Sequence, residues 1–227
     1  HALPICWVGD LRPNSRGWAE VEGQITIDDH TPKDITTAAS PYHPRFTQGA
    51  TVLPRVLFFV ERLPSSPLGV PKGHEAVRST TSSTEKPPWR NLDRQEGVIE
   101  SEFIRPVFLG DSVVPYKAKT SSRAVIPYDA TGLMNGASER IELFPGLAAW
   151  WRKAEGLWQA NRSSERLTLQ ERLDYMHTFT VQFPVQMQRV VYPKSGMHLC
   201  GARIADQRAV VDHSLYWASV ASNEEAL

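Results

Sequence analysis

Two stretches of the chain combine cations, hydroxyls and tight turns in the way that phosphate recognition requires. The first carries Lys117, Lys119 and Arg123 with Thr120, Ser121 and Ser122. Such a basic, hydroxyl-rich loop suits contacts to a nucleic-acid backbone. The second carries Arg189, Tyr192, Lys194, Ser195, Gly196 and His198. A Lys-Ser-Gly turn between strands presents an ammonium, a hydroxyl and free backbone N–H groups together. In both places an ordinary solvated loop or hairpin is the competing reading. Arg55 and Arg105 each lie within an apolar run, where an arginine is normally buried against a partner or held at an edge.

Other chemistry-bearing residues do not form a site. Asp212, His213 and Ser214 are the residue types of a serine triad. Adjacent residues on a strand point to alternate faces and cannot converge, so His213 is expected to bond structurally at a strand start. Seven histidines are scattered, with no i,i+4 pair and no Cys/His cluster, so no metal site is expected. Lys86-Pro-Pro-Trp89 lacks an Asn or Asp before its prolines to accept a hydrogen bond from an amino group. It reads as a rigid turn with a packing indole. The chain contains no Gly-rich strand-to-helix turn and no P-loop.

The elements that must position these residues follow from periodicity. Residues 1–47 read as a lead-in segment with one short strand near Gln24–Ile27. Thr51–Val60 is apolar on both faces and suggests a buried strand, with Pro54 at an edge or bulge. Residues 75–84 alternate as a strand. Glu102–Leu109 and Val113–Ala118 read as a hairpin around Gly110-Asp111, and Arg123–Pro127 as another strand. Leu143, Leu147, Trp150, Ala154 and Leu157 recur at helical spacing, with Pro145 near the start. Thr168 and Glu171 form a capping-box pattern that opens a second helix bearing Leu169, Leu173 and Met176. Strands return at Arg189–Tyr192, Met197–Ile204, Ala209–Val211 and Ser214–Val220. The expectation is an α+β domain over 48–227: β-rich at 48–127, helical at 143–180 and β-rich at 188–220. Its sheets are mixed or antiparallel, and an antiparallel helix pair is inserted between the strand groups.

Composition narrows the partners. The chain has 227 residues, 41 % of them hydrophobic, enough for a real core. With 25 basic and 25 acidic residues the formal charge is zero, so DNA contact must come from a local face. Cys6 and Cys200 are too distant and too few for a disulfide framework, and are expected as reduced thiols in a cytoplasmic protein. No run is long and apolar enough to span a bilayer, and the N-terminus carries no signal-peptide pattern. The chain starts at His1 and stops at EEAL, ends that look cut from a longer protein.

Several ordered segments carry a family resemblance. They are QGATVLPRVLFFVER (48–62), TEKPPWRNL (84–92), EFIRPVFLGDSVVPY (102–116), RVVYPKSGMHLCGARI (189–204) and AVVDHSLYWASV (209–220). LAAWWRKAEGLWQANRSSERLTLQERLDY (147–175) lies between the third and fourth. Together they resemble the C-terminal target-recognition (specificity) domain of adenine-N6 DNA methyltransferases, including fused type II restriction–modification enzymes. The resemblance implies a DNA-reading part beside a Rossmann-like catalytic domain that binds S-adenosylmethionine and methylates a flipped adenine. It implies double-stranded DNA as a partner and a catalytic methyltransferase domain in cis or in trans. Donor-binding and catalytic motifs are missing here, so the chain is expected to hold no cofactor and to have no activity of its own.

The expected function is therefore DNA target recognition for a methyltransferase, restriction–modification or phage-defence enzyme. The candidate DNA-binding residues are Lys117, Lys119, Arg123, Arg189, Tyr192, Lys194, Ser195 and His198. The alternative is a protein–protein interaction or scaffold domain of a multi-subunit defence complex, suggested by the neutral charge and Trp-rich helix. A free-standing hydrolase rests only on Asp, His and Ser being present.

Overall fold

The computed structural model describes residues 43–64, 69–114, 117–119, 121–185, 188–196, 200–222 and 225–226, with a strand pair nearer the N-terminus. The chain divides into two compact units, His1–His43 and Pro44–Leu227. In the first, β1 (Cys6–Trp7) pairs antiparallel with β2 (Ile25–Thr26), where the sequence places a short strand.

The second unit is an α+β fold whose described strands form three larger sheets and two two-stranded pairs. In chain order it contains β3 (Thr47–Gln48), α1 (Arg55–Phe58), β4 (Val60–Arg62), β5 (His74–Ser79), β6 (Glu96–Glu100) and β7 (Ile104–Phe108). Next come β8 (Val113–Val114), β9 (Lys117–Ala118), β10 (Ser122–Val125), β11 (Tyr128–Asp129) and β12 (Gly132–Leu133). Two helices follow, α2 (Pro145–Asn161) and α3 (Leu169–Leu173). The last strands are β13 (Gln188–Pro193), β14 (Ala202–Ile204), β15 (Val210–Val211) and β16 (Leu215–Val220). Strands β4-β5-β6 form an antiparallel sheet. Strand β7 pairs antiparallel with β10 on one side and parallel with β15 on the other. Strands β14-β13-β16-β3 form the third sheet, antiparallel throughout. The two-stranded pairs are β8 with β9 and β11 with β12.

The principal core lies between α1, α2 and the first two sheets, with Val56, Leu57, Phe58, Ile99, Trp150 and Trp151 among its buried residues. The ring of Phe58 meets Trp151 edge-on at 5.7 Å, and Trp150 Nε1 donates to the Leu57 carbonyl at 3.2 Å. Helix α2 runs across β6 so closely that a Cβ on Gly146 would stand 2.2 Å from the Val98 carbonyl oxygen, which explains glycine there. A smaller core joins the third sheet to β8 and β9 through Val113, Val191, Ile204, Val211, Leu215 and Trp217.

Three local expectations change. Thr51–Val60 is buried as expected, but its centre is one helical turn, α1, and only Val60 enters a strand. A short run that is apolar on both faces carries no period by which a strand could be told from a buried turn. Gly110-Asp111 does not close a hairpin: β7 pairs with β10 and β15, and β8 pairs with β9. Residues Gly110–Ser112 instead make a 3-10 turn fastened from afar, with Gly110 N–H donating to Ser214 Oγ at 2.9 Å. The second helix opens on the expected Thr168/Glu171 box but stops at Leu173. Met176 lies beyond it with φ +54° and is exposed.

Candidate nucleic-acid interface

Alternation along the third sheet sorts its side chains. Val191, Leu215 and Trp217 point into the smaller core, so Tyr192 and Tyr216 face outward. These tyrosines are cross-strand partners whose rings stack with centroids 5.3 Å apart. Phe46, just before β3, meets Tyr192 edge-on at 5.1 Å and extends the aromatic strip to three rings. Lys194 ends the strip, with Nζ 5.5 Å from the Tyr216 ring centroid. Its backbone N–H donates to the Ser214 carbonyl at 2.9 Å, which fixes the turn, and Lys194, Ser195 and Gly196 are exposed. The strip offers stacking surface next to a cation and a hydroxyl, a combination suited to sugar, base edge and phosphate.

Lys117 and Lys119 belong to the same lobe. Ala118 between them packs on the smaller core beside Cys200, a free cysteine, and β9 packs against β14. Both lysines are exposed, and Lys119 N–H donates to the Ser112 carbonyl at 2.7 Å. Lys117, Lys119, Tyr192, Lys194 and Ser195 therefore surround one small β core.

The other expected residues are placed differently. Arg189 is fully buried, because β13 alternation turns it inward. Its guanidinium donates to the carbonyls of Asp206 and Ala209 at 3.0 and 2.7 Å, so it cannot touch DNA from this position. Burial pushes its pKa down to about 10, against the opposing field of Asp206, so it stays charged at neutral pH. Arg123 lies in the second sheet, and its guanidinium meets Glu75 at 2.7 Å, which offsets its charge. It lines a shallow pocket of about 280 Å³ with Arg55, Thr80, Ser121 and Ser122. His198 lies outside the described residues.

Among the described residues Arg105 has no carboxylate partner and is half-buried. It is held between the rings of Tyr128 and Phe183, each centroid 5.1 Å from its Cζ, and donates to the Tyr128 carbonyl at 3.0 Å. Burial lowers its pKa, the nearby Arg208 lowers it further, and Tyr128 opposes the shift. Arg55 instead stacks over Phe59 at 5.4 Å.

Asp212 gathers both of its neighbours. His213 Nδ1 lies 3.0 Å from Asp212 Oδ2, and the Ser214 hydroxyl donates to Oδ1 at 2.7 Å. The serine and the imidazole bond to the aspartate, and no hydrogen bond joins them to each other. The His213 backbone N–H donates to the Ala50 carbonyl at 2.7 Å. His213 bonds structurally as expected, but it lies in a turn before β16 and not on a strand, which is why both neighbours can reach Asp212.

One broad cleft was not legible in the sequence. A cleft of about 690 Å³ opens between the Pro87-Pro88-Trp89 turn and the 161–167 link after α2. Trp89 and Trp158 stack beside it with centroids 5.4 Å apart and ring planes at 20°. Lys86, Arg162, Arg166 and Arg172 line it, against one carboxylate, Glu85. The PPW turn is confirmed as a packing element, but its indole is only half-buried.

Among the described residues no helix is long and apolar enough to cross a membrane, and no group of three His, Cys, Asp or Glu residues could hold a metal ion. No protein-family model matches this chain, and no curated protein matches it significantly.

Proposed function

We propose that the chain is a DNA target-recognition region of the adenine-N6 methyltransferase or restriction–modification class. It would act in the cytoplasm with a catalytic methyltransferase domain, in cis or in trans, that supplies S-adenosylmethionine. The observation that carries this reading is the outward aromatic–cation strip Phe46, Tyr192, Tyr216 and Lys194, with Lys117 and Lys119 on the same lobe. Lysines at exposed strand ends deliver the salt-sensitive part of affinity, while the rings and the Ser195 hydroxyl offer contacts that depend on groove shape and base edge. The ordered resemblance over 48–220 gives the same function class.

Binding of fluorescent random-sequence duplex DNA, measured by anisotropy across a salt series, tests the proposal. Affinity should fall steeply with salt, and each of Lys117→Ala and Lys194→Ala should flatten the log–log slope by about one phosphate equivalent. No duplex binding at about 50 mM salt, or an unchanged slope in the double variant, would overturn it. The scaffold reading draws on Tyr175, Met176 and Val181, each exposed in the segment that follows α3. Partner capture that is lost in Met176→Lys, with no DNA affinity, would favour it instead.

A further inference from the structure

The cleft beside Trp89 and Trp158 is strongly unbalanced in charge, with four cations and one carboxylate in its lining. Most described arginines elsewhere on the surface meet carboxylates: Arg78 meets Glu96, Arg94 meets Glu61, and Arg140 and Arg152 meet Asp129 and Glu142. The cleft cations have no such partners among the described residues. Arg162 donates Nη1 to the carbonyls of Glu165 and Leu167 at 3.3 and 3.0 Å, which fixes its position without neutralising it. Lys86, Arg166 and Arg172 bond to no carboxylate. Glu85 is turned to other work, accepting the Arg55 backbone N–H at 2.7 Å. Glu171 is engaged by Thr168 in the capping box. The C-terminus of α2 adds only about half a negative charge, so the excess stays strongly positive.

The wall of this basic cleft is aromatic. Trp158 is anchored by its Nε1, which donates to the Leu167 carbonyl at 2.9 Å, and Trp89 rests on it from the PPW turn. An acidic peptide would use the cations and leave the indoles idle. A nucleotide uses both, since every base has a face to stack and a phosphate on either side. The volume suits one small-molecule-sized unit, within the usual range of about 300–1,000 Å³.

We propose that this cleft seats one nucleotide of an unpaired DNA strand, with its base against the indoles and its flanking phosphates on Arg162, Arg166 and Arg172. The choice of DNA over another polyanion rests on the proposed function, whereas the stacking-plus-cation chemistry stands without it. The site is separate from the Tyr192–Lys194 face.

The test uses the full chain and a labelled oligothymidine of about 15 nucleotides, long enough to cover a single-strand site. Wild type should bind it, with affinity falling as salt rises. Arg166→Glu with Arg172→Glu should weaken binding at least tenfold while the thermal melt is unchanged. Trp89→Leu should weaken it similarly, and Trp89→Phe should restore most of the loss, because a ring stacks and an aliphatic chain does not. A polyglutamate peptide that binds as tightly as the oligonucleotide, or a Phe variant as poor as Leu, would overturn the proposal. Single-strand binding without duplex binding would sink the duplex reading and leave the cleft assignment standing. Duplex binding without single-strand binding would do the reverse.

Discussion

Replacing Glu100 tests how helix α2 is held at its start. Phe144 precedes α2 and offers no polar side chain, and Pro145 at the first position has no N–H. The Ala148 N–H already donates to the Phe144 carbonyl, which leaves two donors, Gly146 and Leu147. Both donate to Glu100, at 3.0 Å to Oε1 and 2.8 Å to Oε2. Glu100 ends β6 and is only 7 % exposed, so water cannot easily replace it. Hydrogen bonds to a charged group contribute about 1.5–3 kcal/mol each, and the helix N-terminus favours an anion further. The contributions overlap, so Glu100→Ala should cost about 3–5 kcal/mol in a urea titration at neutral pH. Glu100→Gln keeps one acceptor oxygen and should cost about half as much. Because the carboxylate is buried, the cost should persist in about 1 M salt, where the Debye length is short. A loss below about 1 kcal/mol, or one that vanishes in salt, would refute a buried carboxylate cap.

Two glycines should respond in opposite directions in the same assay. A Cβ on Gly49 would stand 2.3 Å from the carbonyl oxygens of Val211 and Asp212, so Gly49→Ala should cost about 3 kcal/mol or more. A Cβ on Gly156, within α2, meets nothing within 4 Å, and Gly156→Ala should stabilise by up to about 1 kcal/mol. Arg189→Met removes two buried hydrogen bonds and one desolvated charge, and should cost about 2 kcal/mol. It should leave the duplex affinity of the folded protein within twofold, and a larger loss would return Arg189 to the DNA.

Where local signals dominate, the sequence and the structure agree. The apolar spacing of Leu147, Trp150 and Ala154, with Pro145 at the first position, marks α2, and the Thr168/Glu171 box marks the start of α3. Leu143 shares the spacing but precedes the helix and is 76 % exposed, since periodicity does not say where a helix begins. What failed depended on distant partners. The Gly110 turn is set by Ser214, and the fate of Arg189 by carbonyls near residue 206. The exposed lysines at 117, 119 and 194 were legible because turn chemistry is local. Phe46 and the basic cleft were not, because Lys86, Trp89, Trp158 and Arg172 come together only through tertiary packing.

The pairing of β3 with β16, of Ala50 with Asp212, and of β7 with β15 ties the beginning of the second unit to its last strands. On the ribosome, this unit cannot complete its second and third sheets until residues 210–220 have emerged. Until then the edges of β7 and β13 stand open, and β7 would be the exposed template for mispairing. Arg208 then closes this seam, with Nη2 within 3.0–3.1 Å of the carbonyls of Ser101, Glu102 and Ile104. Late closure of this kind makes folding slow by topology, because the pairings that complete the unit join residues far apart in the chain.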